Sequence, residues 1–334
     1  MMNLPIALDA MGGDKMPCAA VAGALQAAKE GIKVVLVGDQ AALERELKDQ
    51  NAELEIHHAP DVIGMEEHAT DVRRRRDSSI MRSLQLVKDG AACAAISMGH
   101  SGATMAGALL LLGRIKGVER PAILANIPAV RGYVGLIDAG ANADCRPAFL
   151  QQFAVMGSVY AKEFYNLSEP RIGLMSIGEE EGKGNELTRE AHALLKTTPN
   201  INFYGNIEGR DLLNSVVDIV VTDGFTGNVV LKLAEGEAKS LFSWIKDALV
   251  GNGPFVKLGG ALVKPALRKI ADRMDPYEYG ATPLLGVNGY AFIGHGSSDE
   301  RAVRNALRTA ERSVSAELVK KITKGVSRLG LEAV

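Results

Sequence analysis

Val216-Val-Asp-Ile-Val-Val-Thr-Asp-Gly-Phe-Thr-Gly-Asn228 decides the fold class. Its apolar, β-branched opening is too brief for a helix and reads as a strand covered on both faces. The run halts at Thr222, and a glycine turn leads into a helical pattern. Thr226 and Asn228 are the expected caps of that helix. Gly224 and Gly227 would let an anion approach its unpaired amides. Taken alone, the turn needs no ligand.

Outward from this stretch the same arrangement recurs. Asp9-Ala-Met-Gly-Gly-Asp14, Ser97-Met-Gly-His-Ser-Gly-Ala103, Asp138-Ala-Gly-Ala-Asn142, Ser176-Ile-Gly178 with Lys183-Gly-Asn185, and Gly294-His-Gly-Ser-Ser298 stand where apolar runs give way to amphipathic ones. In an open α/β sheet such turns gather at the carboxyl edge, where ligands bind. Any one could be a tight turn; together they predict an anion site, phosphate above all. Strands are expected at residues 6–9, 34–37, 54–58, 92–97, 171–177, 201–204 and 216–222. Helices are expected at 17–30, 40–48, 79–88, 102–112, 147–165, 185–196 and 298–321. The alternation predicts an α/β fold with a mainly parallel sheet and helices on both faces.

Two places break the rhythm. Residues 122–127 and 133–138 are joined by Pro128-Ala-Val-Arg-Gly132, too short for a crossover helix, and predict an antiparallel hairpin appended to the sheet. Residues 235–250 and 255–274 are helical, interrupted by Gly251-Asn-Gly-Pro254. They predict a protruding helical hairpin, inserted at about 232–275 into a single α/β domain spanning 1–334. Its tip is apolar, with Trp244, Phe255, Leu258 and Leu262, and its second arm carries Lys264 and Arg268.

A net charge of −2 gives no basic excess for nucleic acid. Cys18, Cys93 and Cys145 form no CxxC pair, which argues for a reducing compartment and against a disulfide framework or zinc site. The N-terminus lacks a basic n-region, and the longest apolar run, 108–112, cannot span a bilayer. The expected home is the cytoplasm. No GxGxxG follows the first strand, and Gly178-Glu-Glu-Glu-Gly-Lys183 is one spacer short of a P-loop and lacks its Ser or Thr. Lys183 is expected either to serve the site or to pair with Glu179, Glu180 or Glu181. In Arg73-Arg-Arg-Arg-Asp-Ser-Ser79 the four arginines point in different directions, so only one or two can face a ligand. His57 and His58 read as structural; His100 and His295, inside glycine turns, are better candidates. Cys145 has no base partner, so a buried structural role is expected.

These motifs, with Gly205-Asn-Ile-Glu-Gly209 and Tyr279-Gly-Ala-Thr-Pro-Leu-Leu-Gly286, resemble those of the bacterial phosphate acyltransferases of phospholipid synthesis, in order and across nearly the whole chain. Three departures stand out. His100-Ser101 replaces a usual Asn-Thr, Arg75 and Arg76 replace lysines, and Gly182 replaces a branched apolar residue. The resemblance implies a fold like the isopropylmalate and isocitrate dehydrogenases and phosphate acetyltransferase. It further implies a homodimer with its cleft near the subunit interface, a cytoplasmic enzyme attached peripherally to the membrane. The implied reaction moves a fatty acyl group from acyl carrier protein to inorganic phosphate, without metal or other cofactor. A downstream glycerol-3-phosphate acyltransferase would then be a natural partner.

On this reading Lys183, Asn185 and Asn228 are the expected catalytic residues. Amides of Gly12, Gly13, Thr226, Gly227 and Asn228 would hold phosphate and oxyanion, supported by Asp14, Arg74, Ser78, Ser79, Ser101 and Gly102. Asp9, Asp14 and Asp223 are expected to orient loops rather than take protons. Trp244, Phe255, Leu258, Leu262, Lys264 and Arg268 would meet the membrane or the carrier protein; a dimer-interface helix pair is the competing reading. Two other functions stay open. One is a metal-dependent NAD dehydrogenase using aspartates for Mg²⁺; the other is a non-catalytic membrane-peripheral scaffold.

Overall fold

Every strand expected above is found, and all belong to one sheet. The computed structural model describes residues 4–251 and 253–329. Met1–Asn3 of the N-terminal reading and Asn252 of the helix break lie outside the described residues. In chain order the elements are β1 (Ile6–Asp9), α1 (Cys18–Lys29), β2 (Val34–Gly38), α2 (Gln40–Asp49), β3 (Glu55–His58), α3 (Ser79–Lys88), β4 (Ala94–Ser97), α4 (Ser101–Leu111), β5 (Ala122–Ala129), β6 (Gly132–Ile137) and α5 (Pro147–Phe164). There follow β7 (Arg171–Met175), α6 (Glu186–Lys196), β8 (Asn202–Ile207), α7 (Gly209–Leu212), β9 (Ile219–Val221), α8 (Gly224–Gly251), α9 (Pro254–Met274), β10 (Ala281–Leu285), β11 (Ala291–Gly294), α10 (Glu300–Ser315) and α11 (Leu318–Ser327).

The sheet has 11 strands in the order β3-β2-β1-β4-β11-β10-β5-β6-β9-β7-β8. Its first half is parallel, and β1, β2 and β4 are buried along their whole length. That is why their sequences are continuously apolar rather than alternating. One core packs Leu8, Leu36, Ile96 and Phe292 against α1 and α10. A second surrounds α5, whose Phe153, Met156 and Tyr160 meet Ile172 and Ile219.

The centre of the sheet departs from expectation. β10 is antiparallel to both β11 and β5, and β5 is antiparallel to β6. The β5–β6 hairpin is therefore not an appendage; it sits mid-sheet and joins the two halves. Its reversal has a consequence for every loop. β1, β4 and β11 finish at one edge of the sheet, whereas β6, β9, β7 and β8, parallel to one another, finish at the opposite edge.

Two helical expectations also change. There is no break near residue 232: α8 runs for 28 residues straight from the 223–228 turn. The C-terminal helix is two helices, because Glu317 takes a left-handed conformation with φ 50° between α10 and α11.

Candidate active site

The glycine turns collect into two groups, each built around a buried aspartate at a strand end. In the first, Asp9 closes β1. Its Oδ1 accepts the Met11 and Gly12 amides, both at 3.2 Å, and its Oδ2 accepts the Ser97 hydroxyl at 2.7 Å. Ser97 Oγ in turn accepts the Gly99 amide at 3.1 Å. Burial raises the Asp9 pKa, opposed by these donors and by Ser79. Ser79 Oγ faces the same carboxylate but outside hydrogen-bond geometry, leaving it buried and unpartnered. The Asp9 turn presses on the next one: a Cβ at Gly12 would lie 3.0 Å from the Gly99 α-carbon. The Asp14 amide donates to the Gly296 carbonyl at 2.8 Å, which brings in the 294–298 turn. There Ser298 Oγ is also buried without a partner.

α4 starts in this group. Its N-cap is His100, whose Nδ1 accepts the Ala103 amide at 3.2 Å. That fixes the tautomer: Nε2 carries the hydrogen and donates to the Glu67 carbonyl at 2.9 Å. The imidazole thus does what an Asn cap commonly does at a helix start. Among the described residues, the amides of Gly13, Ser101 and Gly102 have no hydrogen-bond partner. These are the unspent donors of a glycine turn and a helix start.

Other residues expected here are already engaged or turned to solvent. Ser78 is buried and its hydroxyl donates to the Arg75 carbonyl at 2.8 Å. Arg75 is the arginine that folds inward, binding Asp61, Glu67 and the Val62 carbonyl. These pairs push its pKa up and hold that of Asp61 down. Arg74 stays exposed, with no ion pair among the described residues.

The second group forms where β6 and β9 end. Asp138 Oδ1 accepts amides from Ile123, Gly140 and Ala141 at 3.1, 3.2 and 2.9 Å. Its Oδ2 accepts the Asn142 amide at 2.7 Å and the Asn142 side chain at 2.8 Å. Here too burial raises the pKa against the pull of those donors. The first turn of α8 is pressed onto this loop. A Cβ at Gly227 would sit 1.9 Å from the Asp138 carbonyl oxygen, and one at Gly224 would sit 2.7 Å from Asn142 backbone. These glycines serve a close backbone contact rather than the approach of an anion.

The expected caps change accordingly. Asp223 caps α8, its Oδ1 accepting the Thr226 amide and its Oδ2 the Thr226 hydroxyl, both at 2.8 Å. The Gly227 amide donates to the Asp223 carbonyl at 2.9 Å. The Thr226 and Gly227 amides are therefore spent; the unpartnered ones among the described residues are those of Asp223 and Phe225. Sequence reading passed over Phe225 because its backbone, not its side chain, is the available group. Asn228 is exposed, and its side chain lies against Gly140. Asn185 caps α6, accepting the Thr188 amide at 2.9 Å. Lys183 is exposed, and Glu181 pairs with Lys196 instead of with it. Cys145, beside this loop, has its pKa pushed up to about 12 by burial and by Asp138.

The structure thus brings Gly12, Gly13, Asp14, Ser78, Ser79, Ser101 and Gly102 together, and separately Thr226, Gly227 and Asn228 with the Asp138 loop. No hydrogen bond or ion pair among the described residues joins the two groups. The expectation of one common rim fails because the central strands reverse.

A family model described as "Fatty acid synthesis protein" matches residues 4–321. The chain is 56% identical over 324 residues to a phosphate acyltransferase of Thermus thermophilus, covering 97% of this chain and 99% of that one. It is 57% identical over 280 residues to a phosphate acyltransferase of Deinococcus radiodurans, covering 82% and 78%. The chain belongs to the phosphate acyltransferase family. As a phosphate acyltransferase it is an acyl-transferring enzyme, and its fold recurs in more distant proteins. A phosphotransacetylase from Streptococcus pyogenes superposes with a TM-score of 0.64 at 16% identity, covering 93% of this chain and 94% of that one. A 4-hydroxythreonine-4-phosphate dehydrogenase from Klebsiella pneumoniae does so at 0.56 and 13%, covering 92% and 98%.

Proposed function

We propose that this phosphate acyltransferase moves a fatty acyl group from the thioester of acyl carrier protein to inorganic phosphate, giving acyl phosphate for phosphatidic acid and phospholipid synthesis. The observation that carries the reading is the unspent donor set around Asp9: the Gly13 amide of the turn after β1, with the Ser101 and Gly102 amides at the start of α4. Such a cradle suits a small oxyanion without any cofactor. A phosphate oxygen bonds to the thioester carbonyl carbon, the C–S bond breaks, and the electron pair leaves on sulfur, which takes up a proton. Phosphate is already an anion and a thiol of pKa about 8.5 is a good leaving group, so positioning and oxyanion stabilisation are the enzyme's tasks. Cys145 does not compete as nucleophile, since its thiol stays protonated at neutral pH.

Lys183, Asn185 and Asn228, all exposed, supply the charge and amide donors that meet the thioester, which the cleft near the subunit interface of the dimer brings up to the bound phosphate. The enzyme acts as a homodimer at the cytoplasmic membrane surface, beside the glycerol-3-phosphate acyltransferase that consumes its product. Supporting this, Trp244, Phe255 and Leu262 are 66%, 89% and 77% exposed, and Lys264 and Arg268 form no ion pair among the described residues. No helix among the described residues is long and apolar enough to cross a membrane, so attachment would be interfacial.

The test is phosphate-dependent release of carrier thiol from long-chain acyl carrier protein. Lys183→Ala and Asn228→Ala are expected to lower turnover by roughly 10²–10³ with the fold retained. Wild-type turnover in both removes them from the site, and a trapped acyl-enzyme overturns direct transfer.

A further inference from the structure

A groove of about 840 Å³ lies between α7, α8, the end of α9 and the edge of β5. Its wall along α8 is a stripe at helical spacing: Leu231, Ala234, Ala238 and Phe242. Leu212 and Met274 face it from α7 and α9. Val230, two residues beyond Asn228, and Asp275, at the end of α9, both line it. Past Asp275, Tyr277 donates to the Ser297 carbonyl at 3.0 Å.

We propose that this groove holds the fatty acyl chain of the substrate, its carbonyl end at Asn228 and its methyl end toward Phe242. The proposal rests on the functional reading above and adds where the tail lies. Length supports it. From Leu231 to Phe242 the helix rises about 17 Å, and one chain of a bilayer whose hydrocarbon core is about 30 Å thick spans about 15 Å. Chemistry supports it too. The wall is aliphatic, whereas the charged Glu235, Glu237, Lys239 and Asp272 stand among the lining residues as a polar rim for an aqueous entrance. The methyl end then points along α8 toward Trp244, while the carrier, bonded to the carbonyl carbon, stays at the Asn228 end.

Ala234 and Ala238 are one helical turn apart and make a ruler. A fluorescent sixteen-carbon fatty acid, titrated into the full-length protein, is expected to bind saturably to wild type and more weakly to Ala234→Trp and Ala238→Trp. With carrier-linked donors, the ratio of long- to short-chain turnover should fall in both variants, by about fourfold for each methylene denied burial. Ala234→Trp, nearer the carbonyl end, should exclude shorter chains than Ala238→Trp. Unchanged probe binding and an unchanged chain-length ratio in both folded variants overturn the groove assignment while leaving the reaction intact. Variants that alter only the sedimentation of the protein assign the groove to a second copy of the chain, which also overturns it. Probe binding that is blocked by both tryptophans, in an enzyme that releases no carrier from any donor, upholds the groove and sinks the functional reading.

Discussion

Asp9 and Asp138 stand at the ends of β1 and β6, both buried, both gathering the amides of the turn that follows. What surrounds them differs. Around Asp9 one turn touches another turn, and the glycine and helix-start amides of Gly13, Ser101 and Gly102 are left over. Around Asp138 a helix is pressed directly onto the loop through Gly224 and Gly227, and the carboxylate is saturated by five N–H groups. The first arrangement keeps donors for a ligand. The second locks the start of α8, the same continuous helix that carries Trp244. The pair of sites divides the work between offering hydrogen bonds and fixing geometry.

The sharpest way to break this contrast is to add one methyl group on each side. Gly227→Ala places a carbon 1.9 Å from a backbone carbonyl that cannot move without dislodging Asp138. We expect a loss of at least about 3 kcal/mol, at the upper end for overpacking, read as a urea midpoint shift or failure to fold. Gly12→Ala meets the Asp9 carboxylate at 2.7 Å and Gly99 at 3.0 Å. A glycine turn can shift there, and about 1–2 kcal/mol is expected. Equal costs would mean that α8 is not locked as described.

A smaller effect follows from removing each charge. Asp138→Asn turns an NH₂ group toward N–H donors that cannot rotate, at a cost of about 2–3 kcal/mol for the unsatisfied amides. Asp9→Asn is milder, about 1 kcal/mol, since one of its three donors is a Ser97 hydroxyl that can reorient. Proton linkage adds a check with a definite sign. Burial raises both folded-state pKa values above 3.8, so the native state holds these protons more tightly than the unfolded chain. Their contribution is present below pH 3.8 and is lost as pH rises through the raised values. Asp61, lowered by Arg75, works in the other direction and loses its contribution as pH falls below 3.8. Each Asn variant should flatten the stability decline on the rising-pH side in urea midpoints taken from pH 4 upward. A slope unchanged from wild type in both variants would show that neither carboxyl is shifted upward.

Nine strands, β1 to β9, and most helices were legible in the sequence because apolar runs and glycine punctuation are local signals. The sense of each strand was not. β10 escaped notice because Pro283 argues against a central strand, yet it and β6 reverse the sheet. Glycines at 224 and 227 announced a close approach without naming the partners, which are the Asn142 backbone for Gly224 and the Asp138 carbonyl for Gly227, more than eighty residues earlier. The cap of α8 was misassigned, to Thr226 and Asn228 instead of Asp223, for a similar reason. Asp, Thr and Asn all satisfy a helix start, and only geometry shows that Asp223 does so here. Arg75 rather than Arg74 turns inward because Asp61 and Glu67 meet it, a tertiary fact that four identical neighbours conceal.

The gentlest probe concerns the helix cap of the first group. His100 caps α4 through Nδ1 and anchors the 61–79 corner through the Nε2–H donated to Glu67. Asn at this position keeps a cap acceptor but cannot reach as far as Nε2, so His100→Asn should cost only a few tenths of a kcal/mol for the lost anchor. His100→Ala removes both and should cost about 1 kcal/mol, the usual value of a lost cap. Thermal midpoints rank the two. Because the cap positions the free Ser101 and Gly102 amides, the Ala variant should also raise the phosphate concentration needed for half-maximal rate, whereas Asn should leave it near wild type. If Ala raises neither the stability loss nor the phosphate requirement, the start of α4 is not where the anion is held, and the division of work between the two aspartate groups has to be redrawn in favour of Asp138.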